Sequence, residues 1–294
     1  MYISIDIGAF PKYNSARDVV KLLKGAGFDA YDFSFFNASF SREFFENDDY
    51  LERAKSFREY ADSLGIACNQ THAPFPTFVP LRDGVTLPWW MPQEDKTSYN
   101  ARLFTQIERT LEVSAILGAK VCVVHPCNDA TAEENAAFYR KLEPTARRVG
   151  VKIALENMWN EKDGKICAAA CSHHDDFKKH LDLLPKDVFV ACLDVGHAEM
   201  GGLDTSAVEM IYTLKDRLHA LHIHDNDKVH DSHNLPFTMK IPFNEVIAAL
   251  KAVGYKDDIT FESSYFTRNF PIETYPQAAA LSAAMAEYIR KQLS

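Results

Sequence analysis

The sequence predicts an α/β protein built as one (β/α)8 barrel of the TIM type, a single domain over residues 1–294 with its active site at the C-terminal ends of the strands. Three observations carry that expectation. A helix–Gly–strand unit recurs along the chain, the strand segments are apolar on both faces, and every strand ends at an ionisable residue. Strands that alternate with helices imply a parallel sheet, and eight units of about 37 residues suit a closed barrel.

The first strand is Ile3–Ile7, with Asp6 near its end. Leu22-Leu23-Lys24-Gly25-Ala26-Gly27 then leads to Tyr31-Asp32, and Ser63-Leu64-Gly65 leads through Ile66-Ala67-Cys68 to His72. Ile116-Leu117-Gly118 leads to Val121–Val124 and His125, and Val149-Gly150 leads to Val151–Leu155 and Glu156. Val188–Leu193 ends at Asp194, Leu218–Leu221 ends at His222, and Val253-Gly254 leads through Ile259-Thr260-Phe261 to Glu262. Glycine after a helix suits the left-handed position where a Cβ is costly. The runs are too short for helices and rich in β-branched residues.

The intervening helices are legible by period and cap. Over 97–117, Phe104, Ile107, Leu111 and Ala115 fall on one face. Thr131-Ala132-Glu133-Glu134 is a capping-box start, and Pro144 predicts a kink or a break near Leu142. Ser206–Arg217, Phe243–Val253 and Pro276–Gln292 supply the later helices. The rival architecture, an open doubly wound sheet, normally carries a Gly-rich phosphate loop after its first strand, and Asp6-Ile7-Gly8-Ala9-Phe10-Pro11 is not one.

An apolar share of 47% with 25% charged residues is enough for a large core and excludes disorder as the main organisation. The formal charge of −9 argues against a nucleic-acid partner. The N-terminus has neither a basic stretch nor a long apolar run, and six cysteines sit mostly inside apolar segments. A cytoplasmic protein with reduced thiols and no membrane partner is the resulting expectation, and Cys167-x3-Cys171 reads as structural.

Asp6, Asp32, His72, His125, Glu156, Asp194, His222 and Glu262 all end strands, so a barrel gathers them at one mouth. Caps explain one or two such residues, not eight. Carboxylates packed together without a cation cost several kcal/mol, in order of magnitude. One divalent metal ion is therefore expected on Glu156, Asp194, His222 and Glu262, from four consecutive strands. Three carboxylates and one imidazole suit Mn, Co, Mg or Zn, and the spacing does not choose between them. His197 and His233, with Asp231, crowd the same rim, and His224 follows His222 in alternation. His72 and His125 read as functional; His173, His174, His180, His219 and His230 read as surface or cap residues. The long segment from Ala73 to Lys96, with Phe75, Phe78, Trp89 and Trp90, reads as a lid or a pocket wall at the barrel mouth, with an ordered surface loop or a subunit contact as the alternative. Phe33, Phe35, Phe36 and Phe40 either form another wall or pack under the second helix.

Five segments together resemble the xylose isomerase-like (β/α)8 superfamily: Ala154-Leu155-Glu156-Asn157, Leu193–Ala198, His222–Asp227, Asp231-Ser232-His233 and Thr260-Phe261-Glu262. The resemblance covers essentially the whole chain. It implies an isomerase or epimerase acting on a sugar, polyol or sugar phosphate. In it the metal ligands fall on Glu156, Asp194, His222 and Glu262, the two Glu also act as catalytic acid and base, and His197 binds substrate. Lys228 stands where some epimerases carry Arg, and either orients a substrate oxygen or is solvated. Leu235–Pro242 lacks the two glycines of the sugar-directed members, which implies another loop conformation and leaves the substrate open.

Three alternatives remain at this level. The isomerase or epimerase would work by proton transfer through a metal-bound enediolate, and an inosose-type dehydratase would instead lose a β-hydroxyl from that intermediate. A non-catalytic sugar-binding barrel would keep the pocket without turnover. An endonuclease IV-like multi-zinc phosphodiesterase would place additional ligands on His72, His125, His197, Asp231 and His233, but the acidic charge and a Pro74–Pro92 loop with Arg82 as its one Arg speak against it. Oligomeric state is open, a homo-oligomer included.

Overall fold

The computed structural model describes residues 1–35, 42–75, 77–85 and 95–294. Among them, eight parallel strands form a ring. β1 (Ile3–Ile5), β2 (Ala30–Ser34), β3 (Ala67–His72), β4 (Val121–Val124) and β5 (Lys152–Glu156) come first. A short antiparallel hairpin of β6 (Trp159–Lys162) and β7 (Lys165–Ala168) interrupts the series. β8 (Phe189–Asp194), β9 (Leu218–His222) and β10 (Ile259–Phe261) complete it. Six strands pair in the order β2-β3-β4-β5-β8-β9, and β1 pairs with β10. Isolated parallel bridges from Asp6 to Asp32 and from Ile223 to Phe261 join the two sheets and close the barrel.

Helices cover the outside: α1 (Ala16–Ala26), α2 (Glu43–Glu46), α3 (Tyr50–Leu64), α4 (Lys96–Leu117), α5 (Ala132–Val149), α6 (His174–Asp182), α7 (Val195–Ala198), α8 (Ala207–Leu214), α9 (Phe243–Ala252) and α10 (Tyr275–Leu293). The expected face of α4 is turned inward, with Ile107 and Leu111 buried and Phe104 and Ala115 packed against the core. α5 starts on the complete capping box: Glu134 N–H donates to Thr131 Oγ1, and Thr131 N–H donates to the Glu134 carboxylate. The break expected at Pro144 is absent, because α5 runs unbroken past it to Val149. One missing amide bond is tolerated in a helix whose Leu142, Thr145 and Ala146 are buried on the barrel side. Gly118 and Gly150 end α4 and α5 at φ 91° and 73°, the left-handed conformation expected from the repeat. No helix among the described residues is long and apolar enough to cross a membrane.

The inside of the ring has two halves. Val121, Val123, Ala154, Val190, Cys192 and Ala220 form an apolar plug separate from the main core. Across from it the lining is polar: Ser4 Oγ and Asn69 Nδ2 both donate to Thr260 Oγ1, and Gln70 Nε2 donates to Asp32 Oδ2 at 2.8 Å. Side chains two apart on a strand share a face, so Ala154 continues to Glu156, Cys192 to Asp194 and Ala220 to His222. The apolar plug is thus the floor on which the ionisable rim stands.

Two register shifts set which residues face that interior. Tyr31 pairs with Cys68 but Asp32 with Gln70, leaving Asn69 as the extra residue of β3. Ala191 pairs with Leu218 but Cys192 with Ala220, leaving His219 extra in β9 and bringing His222 opposite Asp194. Such bulges re-aim the side chains that follow.

Candidate metal centre

Ligand atoms of Glu156, Asp194, His222 and Glu262 all lie within 4.8 Å of one another, and all four residues are buried. His222 Nδ1 stands 3.2 Å from Glu156 Oε1 and 3.6 Å from Glu262 Oε2. Asp194 is set by Asn157, which donates from Nδ2 to the Asp194 carbonyl and accepts the Asp194 N–H at Oδ1. One Asp194 oxygen accepts the His197 N–H at 2.6 Å, at the start of α7. The other oxygen, and Nδ1 of His222, are buried without a hydrogen-bond partner. Orphaned polar atoms of this kind are costly unless a ligand satisfies them. Three buried carboxylates and an imidazole with such atoms turned inward fit a hard or borderline divalent cation.

Two further groups adjoin these four. His72 Nε2 and His125 Nε2 lie 2.9 Å apart and 3.3 and 3.1 Å from Glu156 Oε2. His197, His224, Asp231 and His233 bring a second set of ligand atoms within 4.8 Å. Asp231 Oδ2 is 3.1 Å from Nε2 of both His197 and His233, and it accepts the Trp159 indole N–H at 3.2 Å. His224 stacks on His233 with ring centroids 3.8 Å apart, and its Nε2 is 3.1 Å from Asp194 Oδ1. In the neutral ring, His72, His197 and His233 each donate from Nδ1 to a backbone carbonyl, of Ala73, Asn157 and Glu262. That fixes each tautomer with Nε2 toward the carboxylates, as metal-binding imidazoles are commonly held.

Electrostatics bind the groups together. Burial pushes the Glu156 carboxyl up, but His222 and His125 overcome it and hold the group well below its usual range. Burial lowers the His222 and His197 rings, yet Cys192, Glu156 and Glu262 raise His222, and Asp194 and Asp231 raise His197, both well above the ordinary imidazole value. His233 follows the same balance, with burial opposed by Asp231, and is raised to about 10. His125 is lowered by burial. Without a cation, protons on the imidazoles supply the positive charge that the carboxylates require.

The structure thus gathers His72, His125, Glu156, Asp194, His197, His222, Asp231, His233 and Glu262 at one mouth. Lys228 Nζ pairs with Glu199 Oε2 at 2.8 Å. Trp89, Trp90, Phe36 and Phe40 lie outside the described residues. Phe75 is half exposed and packs edge-on to His125, at the mouth, whereas Phe78 stacks on Phe138 of α5. Phe33 and Phe35 pack with Phe44, Phe45 and Phe57 under the second and third helices rather than forming a wall. His180, expected at the surface, is buried, with Asn135 and the Asp176 carbonyl as partners.

The sequence assigns no individual role to Asn157, Trp159 or Asp225, though Asn157 and Asp225 fall within the family segments. Trp159 arrives on the hairpin, whose Asp163-Gly164 turn has both φ angles positive (53° and 72°), and Asp-Gly between two short runs is a hairpin signal. The Asp225 carboxylate accepts the N–H groups of Asn226, Met239, Lys240 and Ile241, pinning the glycine-poor loop. In that loop Phe237 takes φ 70°, the left-handed region, so loss of glycine has not removed that backbone conformation there.

Comparison with known proteins follows this geometry. Residues 20–292 match the family model of the xylose isomerase-like TIM barrel. The chain belongs to that family. The chain is 26% identical over 168 residues to the uncharacterized protein y4fM of Sinorhizobium fredii, covering 53% of this chain and 51% of that one. It spans about half the length of the curated relatives it matches. Among solved structures it resembles a D-psicose 3-epimerase crystallised in the presence of D-fructose, with TM-score 0.74, 13% identity and 98% and 99% of the two chains covered. It also resembles the IOLI protein with a binding zinc atom, with TM-score 0.72, 17% identity and coverage of 100% and 98%. At these identities the likeness concerns the fold.

Proposed function

We propose that this protein is a divalent-metal-dependent isomerase or epimerase of a sugar, polyol or sugar phosphate. The observation that carries the reading is the convergence of Glu156, Asp194, His222 and Glu262 from consecutive barrel strands within 4.8 Å. The D-psicose 3-epimerase and the zinc-holding IOLI protein share the fold, which supports the same reading. Mn, Co, Mg or Zn on these four residues would polarise a substrate carbonyl and stabilise charge on adjacent oxygens.

The chain's own groups move the proton. The C–H bond next to the carbonyl breaks, its electrons pass into an enediolate, and one of Glu156 and Glu262 takes the proton. Protonation by the other Glu from the opposite face yields an epimer, and protonation at the former carbonyl carbon, with the adjacent hydroxyl's proton passing to the former carbonyl oxygen, yields an aldose or ketose isomer. His197, held by the Asn157 carbonyl, presents Nε2 beside Asp231, where it can orient a substrate hydroxyl.

A panel of ketoses, inososes and sugar phosphates in D2O, with each metal in turn and read by proton NMR, tests the proposal. Deuterium exchange at the carbon next to a carbonyl is expected with at least one metal and none after chelation. Absence of exchange across the panel, in protein that holds its metal, refutes it.

One observation favours a second reading, a multi-metal phosphodiesterase of the endonuclease IV type. His72, His125 and Glu156 form one flanking donor group and His197, Asp231 and His233 another. Arg82 is engaged elsewhere, with Glu134 and the Asp129 carbonyl, and so offers no cation to a DNA backbone. Three zinc ions per chain together with cleavage of abasic DNA would favour this alternative over the first.

A further inference from the structure

We propose that Asp32, braced by Gln70, is the positioning residue that turns His222 so that Nδ1 faces the cation. The inference rests on the metal-centred reading above and adds a residue from the opposite side of the barrel.

His72, His197 and His233 present Nε2 to the centre and anchor Nδ1 on backbone carbonyls. His222 is reversed. Its Nδ1 faces Glu156 and Glu262, so Nε2 points back across the barrel, where it is buried and makes no hydrogen bond. Asp32 Oδ2 stands 3.5 Å from that nitrogen, with both side chains buried. The same oxygen accepts the Gln70 amide at 2.8 Å. Gln70 faces Asp32 because Asn69 is skipped in the β2–β3 register. A neutral imidazole carries one N–H, and an acceptor behind Nε2 places it there and leaves the Nδ1 lone pair for a metal. The Cys192 thiol also lies against this ring, as does the stacked His72, and the thiol must be tested beside Asp32.

The experiment titrates metal-stripped protein with Mn2+ by calorimetry and records the visible spectrum of the Co2+ form. It compares wild type with Asp32→Asn, Asp32→Ala, Gln70→Met and Cys192→Ala. Both Asp32 variants are expected to bind Mn2+ about 10- to 100-fold more weakly and to alter the Co2+ bands. Gln70→Met is expected to weaken binding in the same direction, by less, without placing or removing a charge. Cys192→Ala should keep wild-type affinity. A thermal melt of each metal-free variant checks that it folds, and affinity is compared among variants that melt cooperatively. Wild-type affinity in both Asp32→Asn and Gln70→Met overturns the proposal, as does a loss seen only in Cys192→Ala. A wild type that takes up no cation overturns the underlying reading and the proposal with it.

Discussion

Gly196 lies so close to the His224 ring that a Cβ there would sit 1.9 Å from His224 Cε1. Any side chain at 196 must push the ring away from Asp194 and off its stack with His233. We expect Gly196→Ala to destabilise the protein by about 1–3 kcal/mol, the usual range for overpacking, and to weaken metal retention. A thermal melt and metal analysis check both, and unchanged values would mean that the ring has room to move. Glu262→Gln removes one proposed proton carrier and one ligand charge. Turnover should fall at least 100-fold, with weaker metal retention, and wild-type deuterium exchange in that variant would refute the acid–base role. The four converging residues, Glu156, Asp194, His222 and Glu262, stood out because each closes an apolar run. Asn157 was quoted only as part of a family segment, and its bridge between two strands depends on a partner that no local pattern names.

At the scale of elements, period and caps told most of the story. The Thr131–Glu134 box stands as its residues predict, and Thr131→Ala should cost about 1 kcal/mol, measurable as a shift in the denaturant midpoint. A shift beyond experimental error in the opposite direction would show that the box is not the determinant of that helix start. What the sequence did not disclose were departures from the repeat. The β6–β7 hairpin carries only its turn as a signal. The register shifts at Asn69 and His219 arise from how neighbouring strands settle, which no single strand encodes. The loop at 235–241 is held from a distance by Asp225, which the loop's own residues do not announce.

Across the whole molecule, β1 pairs with β10, so residues near the two ends of the chain close the ring that carries the centre. The metal-free centre is a balance of buried charge, and its stability should follow pH accordingly. His233 is raised, so its contribution is fully present below about 6.5 and fades as pH climbs toward about 10. Asp231 and Glu156 are depressed, so theirs is present above about 4 and fades on acidification. Melting of chelator-treated protein should therefore be highest between roughly pH 4 and 7, and a flat profile to pH 10 would contradict the balance. Mn2+ uptake should release protons, because the charged rings must give them up, and calorimetry in buffers of different ionisation enthalpy reads this directly.

The indole of Trp159 gives the protein an optical reporter. Its N–H is tied to the same Asp231 oxygen that His197 and His233 approach, and it is the one tryptophan among the described residues. An ion captured by that carboxylate would loosen the indole's tether, so emission should change in step with filling of the flanking group. Titration of wild type against Trp159→Phe would then time its occupancy separately from that of the central four, with no label attached.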